Sequence, residues 1–263
     1  MKQTSIPTVC VIIGYGINAD LELAEAFNKA GGRAERVHIQ DLITVPSRLS
    51  RYDIVAFPGG FSFGDHLGSG KVLAALCKQH LQPALTRFVT AGKPVIGICN
   101  GFQTLVKMGI LPNLSGDWKQ DVSLIHNDSG LFEDRWVHLK INPHSPCIWT
   151  RGLARLELPV RHGEGKFVVG SDHVRKLLVE KNLIALQYTD QAGDAPGYPG
   201  NPNGSLLDIA GISDPSGLVF GLMPHPEAFL FSENHPRWTR EKIDRAAGLF
   251  IFERGIDYVR SRK

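Results

Sequence analysis

The sequence predicts an α/β protein built on an open, mostly parallel β-sheet with helices on both faces and an antiparallel extension. In residues 8–109, short apolar runs alternate with segments whose apolar residues recur at helical spacing. This alternation is typical of parallel strands joined by crossover helices. The middle third changes to short alternating strands separated by loops, as an antiparallel extension requires.

The first half supplies four buried strands and three helices. A strand ends at the glycine turn GYG and leads into a helix over 20–32. A longer helical pattern covers 68–92, and Pro83 is expected to break it. The last strand runs directly into a helix within 93–109. The strands lie in residues 8–13, 33–39, 54–57 and the first part of 93–109.

The second half supplies the antiparallel strands and a C-terminal helix. Alternating patterns occupy residues 134–142, 154–169 and 182–189. Residues 191–205 are rich in turn formers, and strand signals resume after them in LVFGLMPHPE, so a surface loop within one domain is expected. An amphipathic helix with a basic end is predicted over 240–263. We therefore expect a single domain over 1–263.

Composition and charge argue against several classes of protein. The chain has 263 residues, with 29 Lys and Arg against 26 Asp and Glu, and this small excess does not favour a nucleic-acid or membrane surface. The N-terminus lacks a signal-peptide pattern, and no apolar run approaches the ~18 residues of a membrane span. The four cysteines are widely separated without a CxxC pair. We expect a soluble cytoplasmic protein with reduced thiols.

Four motifs resemble binding sites but lack essential parts. GYGINA at 14–19 fits a dinucleotide pattern, yet the second strand lacks the acidic residue that such sites use. GSGKV at 68–72 has Val where a phosphate-binding loop needs Ser or Thr. The pairs His144 with Cys147 and His162 with Glu164 lack a third ligand. We expect no metal site and no bound nucleotide.

Cys99 is the candidate nucleophile. In VIGICNGFQ it lies between Gly97 and Gly101, where a strand turns abruptly into a helix, and GxCxG has the form of a nucleophile elbow. The small neighbours allow a strained turn that presents the side chain at the sheet edge. The helix N-terminus favours the thiolate there.

The segment MPHPE supplies a base and a residue to orient it. His225 and Glu227 alternate in an extended stretch and so are expected to point to one side, with Glu227 holding the tautomer of His225. PGGF ends the neighbouring strand, and the amides of Gly60 or Phe61, together with that of Asn100, are expected to form an oxyanion hole.

The motifs PGG, GICNGFQ and HPE, in this order and at these distances, resemble those of class I (triad-type) glutamine amidotransferases. The strings GGFSFGD, HGEG and NPNGS are similar to those of the glutaminase subunits of phosphoribosylformylglycinamidine synthases, and the likeness covers nearly the whole chain. The resemblance implies a flavodoxin-like fold. It also implies hydrolysis of glutamine by Cys99, His225 and Glu227, with Gln103 lining the glutamine pocket.

The resemblance also implies partners. Ammonia would pass to an ATP-dependent synthetase subunit that converts formylglycinamide ribonucleotide to its amidine, and a small accessory subunit can accompany it. ATP and magnesium would belong to the synthetase, and this chain would bind no cofactor. Gly68 and Ala228 stand where the family has arginine. Two alternatives therefore stay open: a glutaminase for another synthetase, and a non-enzymatic redox or regulatory protein.

Overall fold

The computed structural model describes residues 5–263 and contains one large sheet and one small one. The strands within these residues are β1 (Thr8–Ile13), β2 (Arg33–His38), β3 (Ile54–Phe57), β4 (Val95–Ile98), β5 (Val122–Ile125), β6 (Glu133–Ile141), β7 (Arg155–His162), β8 (Lys166–Val169), β9 (Ile184–Thr189), β10 (Ile209–Ser213) and β11 (Val219–Leu222). The helices are α1 (Asp20–Lys29), α2 (Ile39–Thr44), α3 (Lys71–Thr90), α4 (Asn100–Met108), α5 (Asp172–Glu180) and α6 (Leu249–Ser261).

Nine strands form the large sheet, in the order β2-β1-β3-β4-β11-β10-β9-β6-β7. The first five are parallel to one another, and β3, β4 and β11 are buried along their whole length. Parallel strands covered on both faces have this continuous apolar character. The predicted α/β class with a mostly parallel sheet is confirmed.

The antiparallel extension is also confirmed. It starts where β10 pairs with β11, and continues through β9 and β6 to the edge strand β7. Strands β5 and β8 form a separate antiparallel pair. Residues 190–205 contain no helix or strand, as expected of a loop. Residues 190–200 lie at the surface, whereas Asn201, Asn203 and Ser205 are buried.

Two helix pairs pack separately on the sheet. Helix α1 contacts α6, where the rings of Phe27 and Phe252 lie 5.0 Å apart, and α3 contacts α4. This arrangement accords with helices on both faces.

Two predicted helix boundaries are wrong. Pro83 does not break α3, because it lies on the exposed face, where water can solvate the carbonyl left without a donor, while Leu81 and Leu85 stay buried. The C-terminal helix begins at Leu249 instead of residue 240, and turns precede it. Residues 240–245 are mostly exposed, so they lack the buried apolar face that would stabilise an earlier start of this helix. Of the residues described, no helix is long and apolar enough to cross a membrane.

Candidate active site

Cys99 occupies the sharp turn between β4 and α4. Its backbone has φ 50° and ψ −106°, a conformation that non-glycine residues rarely adopt. A Cβ at Gly97 would lie 2.6 Å from the carbonyl oxygen of Gly101, and a Cβ at Gly101 would collide with the carbonyl oxygen of Phe57. The two glycines therefore permit the close approach of strand and helix that the turn requires. Strain of this kind is found where a side chain must be presented for chemistry.

His225 and Glu227 follow β11, the neighbour of β4 in the sheet. Nδ1 of His225 lies 2.5 Å from Oε1 of Glu227, and the two residues are 5% and 2% exposed. The backbone amide of His225 donates to Pro159 at 2.8 Å. The predicted extended stretch is wrong, because Pro226–Ala228 form a short 3-10 turn. This turn, and not the alternation of side chains along a strand, brings the side chains of His225 and Glu227 together.

Electrostatics favour a protonated His225. Burial lowers the pKa of the ring, but the charges of Glu227 and of the Cys99 sulfur outweigh it and raise the pKa to about 10. Nε2 is buried and forms no hydrogen bond to a nitrogen or oxygen atom within residues 5–263, so it is available to exchange a proton with the nearby Cys99 sulfur. This arrangement suits a histidine that works on a nearby thiol.

The other three cysteines lie outside the cleft that holds Cys99 and His225. All four cysteines are free and buried. Burial raises the pKa of Cys10, Cys77 and Cys147 to about 12. Of the four, Cys99 alone lines the cleft, and its Sγ lies 3.6 Å from the carbonyl oxygen of Arg161.

Cys99 and His225 open into one cleft of about 350 Å³, a volume suited to a small polar metabolite. The wall combines backbone from several loops with polar side chains. The other lining residues are Asn18, Ala19, Glu22, Gly60, Phe61, Asp65, Ser69, Gln103, Phe132, Arg161, His162, Gly163 and Glu164.

Gly60, Phe61 and Asn100 surround the nucleophile, but their amides differ in availability. The amide of Phe61 donates to the carbonyl of Gly16 at 2.8 Å. Of the two alternatives predicted, the structure therefore favours Gly60, whose φ of 137° suits glycine. Asn100 begins α4, and an amide in the first helical turn has no acceptor within its helix. Both amides are candidate donors to a developing oxyanion.

Gln103 lines the cleft and is only 3% exposed. Its Nε2 donates to the carbonyl of Glu164 at 2.5 Å, and its Oε1 accepts from Nδ2 of Asn100 at 3.1 Å. The side chain is therefore a buried, fixed part of the wall. A role in holding substrate stays a prediction.

Three further residues of the cleft lie outside the predicted site. Asp65 contacts Asn100 across 35 positions of sequence, which no local pattern reveals. In the sequence, His162 and Glu164 form an incomplete metal pair and lie in the string HGEG, and neither observation assigns them a role in this cleft. The signal that could have placed them is the end of β7 immediately before a glycine-rich loop.

Two further motifs with missing parts, GYGINA and GSGKV, also border this cleft. In the GYGINA turn, Ile17 forms an isolated bridge with Gly60, and Asn18 lines the cleft. Ser69 of GSGKV also lines it. No group of three His, Cys, Asp or Glu side chains in residues 5–263 is arranged to hold a metal ion. The expected absence of cofactor and metal stays a prediction.

Comparisons with known proteins agree with this geometry. Residues 6–259 match the model of the CobB/CobQ-like glutamine amidotransferase domain. The phosphoribosylformylglycinamidine synthase subunit PurQ of Dehalococcoides mccartyi is 48% identical over 248 residues, covering 93% of this chain and 94% of that protein. The PurQ subunit of Methanococcus maripaludis is 42% identical over 240 residues, covering 90% and 88%.

Solved structures extend the comparison. A chain in the structure of PurLQS from Thermotoga maritima has a TM-score of 0.72 and 29% identity, covering 97% of this chain and 99% of that one. A glutamine amidotransferase of Thermotoga maritima, at 15% identity and a TM-score of 0.51, shares the fold; the coverage is 98% of this chain and 94% of that one.

Proposed function

The chain belongs to the CobB/CobQ-like glutamine amidotransferase domain family, and from this premise we propose that it hydrolyses L-glutamine to glutamate and ammonia through Cys99. The observation that carries the proposal is the convergence, in one cleft, of a strained cysteine at a helix N-terminus with a buried His225–Glu227 pair. A nucleophile, its base and the residue that orients the base are the parts that covalent amide hydrolysis requires.

We assign each step of the reaction to one group of the cleft. The Cys99 thiolate attacks the carbonyl carbon of the side-chain amide, and the amides of Gly60 and Asn100 stabilise the oxyanion. When the carbon–nitrogen bond breaks, His225 donates its Nε2 proton to the departing ammonia. Water then attacks the thioester while His225 takes up a proton, which releases glutamate and restores the thiolate.

Glu227 holds His225 through this cycle. Its Oε1 accepts from Nδ1, which leaves Nε2 as the atom that exchanges protons. Because both residues are buried, the contact is little screened by solvent. Gln103 forms the adjacent wall, and we assign it to glutamine binding.

The acceptor follows from the relatives. The two relatives that are 48% and 42% identical over most of this chain are phosphoribosylformylglycinamidine synthase subunits. We therefore assign the ammonia to a synthetase subunit that converts formylglycinamide ribonucleotide to its amidine in purine biosynthesis. The similarity to a chain of the PurLQS structure supports direct association with that synthetase. ATP and magnesium are assigned to the synthetase, and the location to the cytoplasm.

The two alternatives are less well supported. A glutaminase for another synthetase rests on Gly68 and Ala228, neither of which lines the cleft. A redox or regulatory role would not require the buried, hydrogen-bonded base beside Cys99.

The experiment combines the full chain with its synthetase subunit, ATP and formylglycinamide ribonucleotide. The wild-type chain should support amidine formation from glutamine. The Cys99→Ala variant should support it only from ammonium salts, because ammonia bypasses the glutaminase step. Cys147→Ala, which removes a thiol remote from the cleft, is the matched control and should use glutamine normally. Glutamine-dependent amidine formation by Cys99→Ala would overturn the assignment.

A glutamine-mimicking diazo-ketone tests the site directly. Mass spectrometry should find it attached to Cys99 in the wild-type chain and the Cys147→Ala control. Attachment at another residue would contradict the choice of nucleophile.

A further inference from the structure

Asp65 lies between the beginnings of two helices. Its Oδ1 accepts from the amide of Gly70, immediately before α3, at 3.1 Å, and from Nδ2 of Asn100, the first residue of α4, at 3.0 Å. Its Oδ2 lies 3.3 Å from the same Nδ2. Helix N-termini carry partial positive charge, so a carboxylate between two of them is favourably placed.

The contacts of Asp65 fix the side chain of Asn100. Oδ1 of Asn100 accepts from the amide of Ser62 at 3.3 Å, while its Nδ2 donates to Asp65 and to Gln103. Asn100 is only 1% exposed, so no solvent competes for these bonds. Hydrogen bonds therefore connect the turn after Gly60 to the residue that follows Cys99, and from there to the cleft wall.

The turn that carries Asp65 is itself strained. Phe63, Gly64 and Asp65 have φ values of 55°, 68° and 53°, and only the glycine adopts this region readily. Such a turn persists only where surrounding contacts determine it. The carboxylate of Asp65 provides those contacts at one end, and the Ser62 amide provides one at the other.

We infer that Asp65 is a positioning residue for the nucleophile: it orients Asn100 and thereby holds the N-terminus of α4 in place beneath Cys99. The inference rests on the proposed glutaminase function and deepens it. Asp65 acts through Asn100 and not by binding glutamine, so its loss should slow the reaction of Cys99 without weakening binding. Small displacements of a reacting group are enough for this effect.

The test uses the full chain and the diazo-ketone, with labelling of Cys99 followed over time. The rate constant at saturation measures how well the nucleophile is placed, and the half-saturating concentration measures binding. Asp65→Ala should lower the rate constant by about 10²-fold. The half-saturating concentration should stay within about threefold of the wild-type value.

Asp65→Asn is the conservative variant. Its Oδ1 can still accept from both Gly70 and Asn100, and only the longer 3.3 Å contact of Oδ2 with Asn100 is lost. The rate constant should therefore return to within about tenfold of the wild-type value. Asp190→Ala is the matched control. Asp190 also accepts from loop amides, those of Gly193 and Asp194, but it does not line the cleft, so this variant should label normally.

Two outcomes would overturn the inference. One is labelling of Asp65→Ala at the wild-type rate. The other is a half-saturating concentration raised by about tenfold or more in Asp65→Asn, because Asp65 would then bind the ligand itself. If thermal unfolding shows that Asp65→Ala does not fold, Asp65→Asn alone decides whether Asp65 positions the nucleophile or binds the ligand itself. Failure of the wild-type chain to label at Cys99 would refute the proposed function instead.

Discussion

Replacing His162 by glutamine should remove much of the acid sensitivity of the fold. Nδ1 of His162 lies 3.1 Å from Oδ1 of Asn127, which also accepts from the amide of Gly165, so Nδ1 carries the proton. Nε2 lies 3.5 Å from the amide nitrogen of Asn203, which donates to Tyr188. A second proton on the ring would therefore face a donor in a buried site.

The structure gives the sign and the size of the effect. Burial, with a smaller contribution from the charge of His225, lowers the pKa of His162 from 6.5 to about 4. As the pH falls through 6.5 the unfolded chain takes up a proton that the folded chain refuses, so the free energy of unfolding decreases until the pH reaches about 4. The gap between the two pKa values corresponds to about 3 kcal/mol, since each tenfold change in proton affinity is worth about 1.4 kcal/mol.

Urea unfolding of the full chain, measured at several pH values between about 7 and 4.5, tests this directly. The wild-type protein should lose up to about 3 kcal/mol more than His162→Gln over this range. His173→Gln, which replaces an exposed histidine on α5, is the matched control and should follow the wild-type curve. Equal pH dependence in His162→Gln and the wild-type protein would refute the reasoning.

Three other outcomes are expected. Glu227→Gln should lower kcat by about 10²- to 10⁴-fold and lower the pKa of His225, so the alkaline limit of the pH–rate profile should move down from about 10. Gly101→Ala should destabilise the fold by about 1–3 kcal/mol in urea unfolding, because the added Cβ collides with the carbonyl of Phe57; an unchanged midpoint would contradict the close approach. A thiol reagent should modify Cys77, whose pKa burial raises to about 12, only after unfolding, and peptide mapping of the native protein checks this.

Local pattern was sufficient where the local chain determines the geometry. Strands β1, β3 and β4 are predictable from the sequence, because a short apolar run that ends at glycine or proline has few structures available other than a buried strand. The turn at Cys99 was predictable because only small residues two positions before and after it allow strand and helix to approach.

Contacts between distant segments were not predictable in the same way. Asp65 reaches Asn100 across 35 positions, and His162 reaches Asn127 across the same separation, so neither pattern is visible in a window of sequence. The predicted break at Pro83 is wrong because the free-energy cost of a proline within a helix depends on whether water can solvate the carbonyl that loses its donor. Only the packed structure decides whether that carbonyl is exposed.

The place of β11 in the sheet bears on when the protein becomes reactive as it is made. This strand is the last in the described chain, and it lies between β4 and β10. It places His225 in the same cleft as Cys99, which lies 126 positions earlier in the sequence. Pairings between such distant segments form late in folding, because a long loop must close first. A nascent chain therefore exposes the Cys99 segment without its base, and we expect it to consume no glutamine until β11 and His225 have left the ribosome.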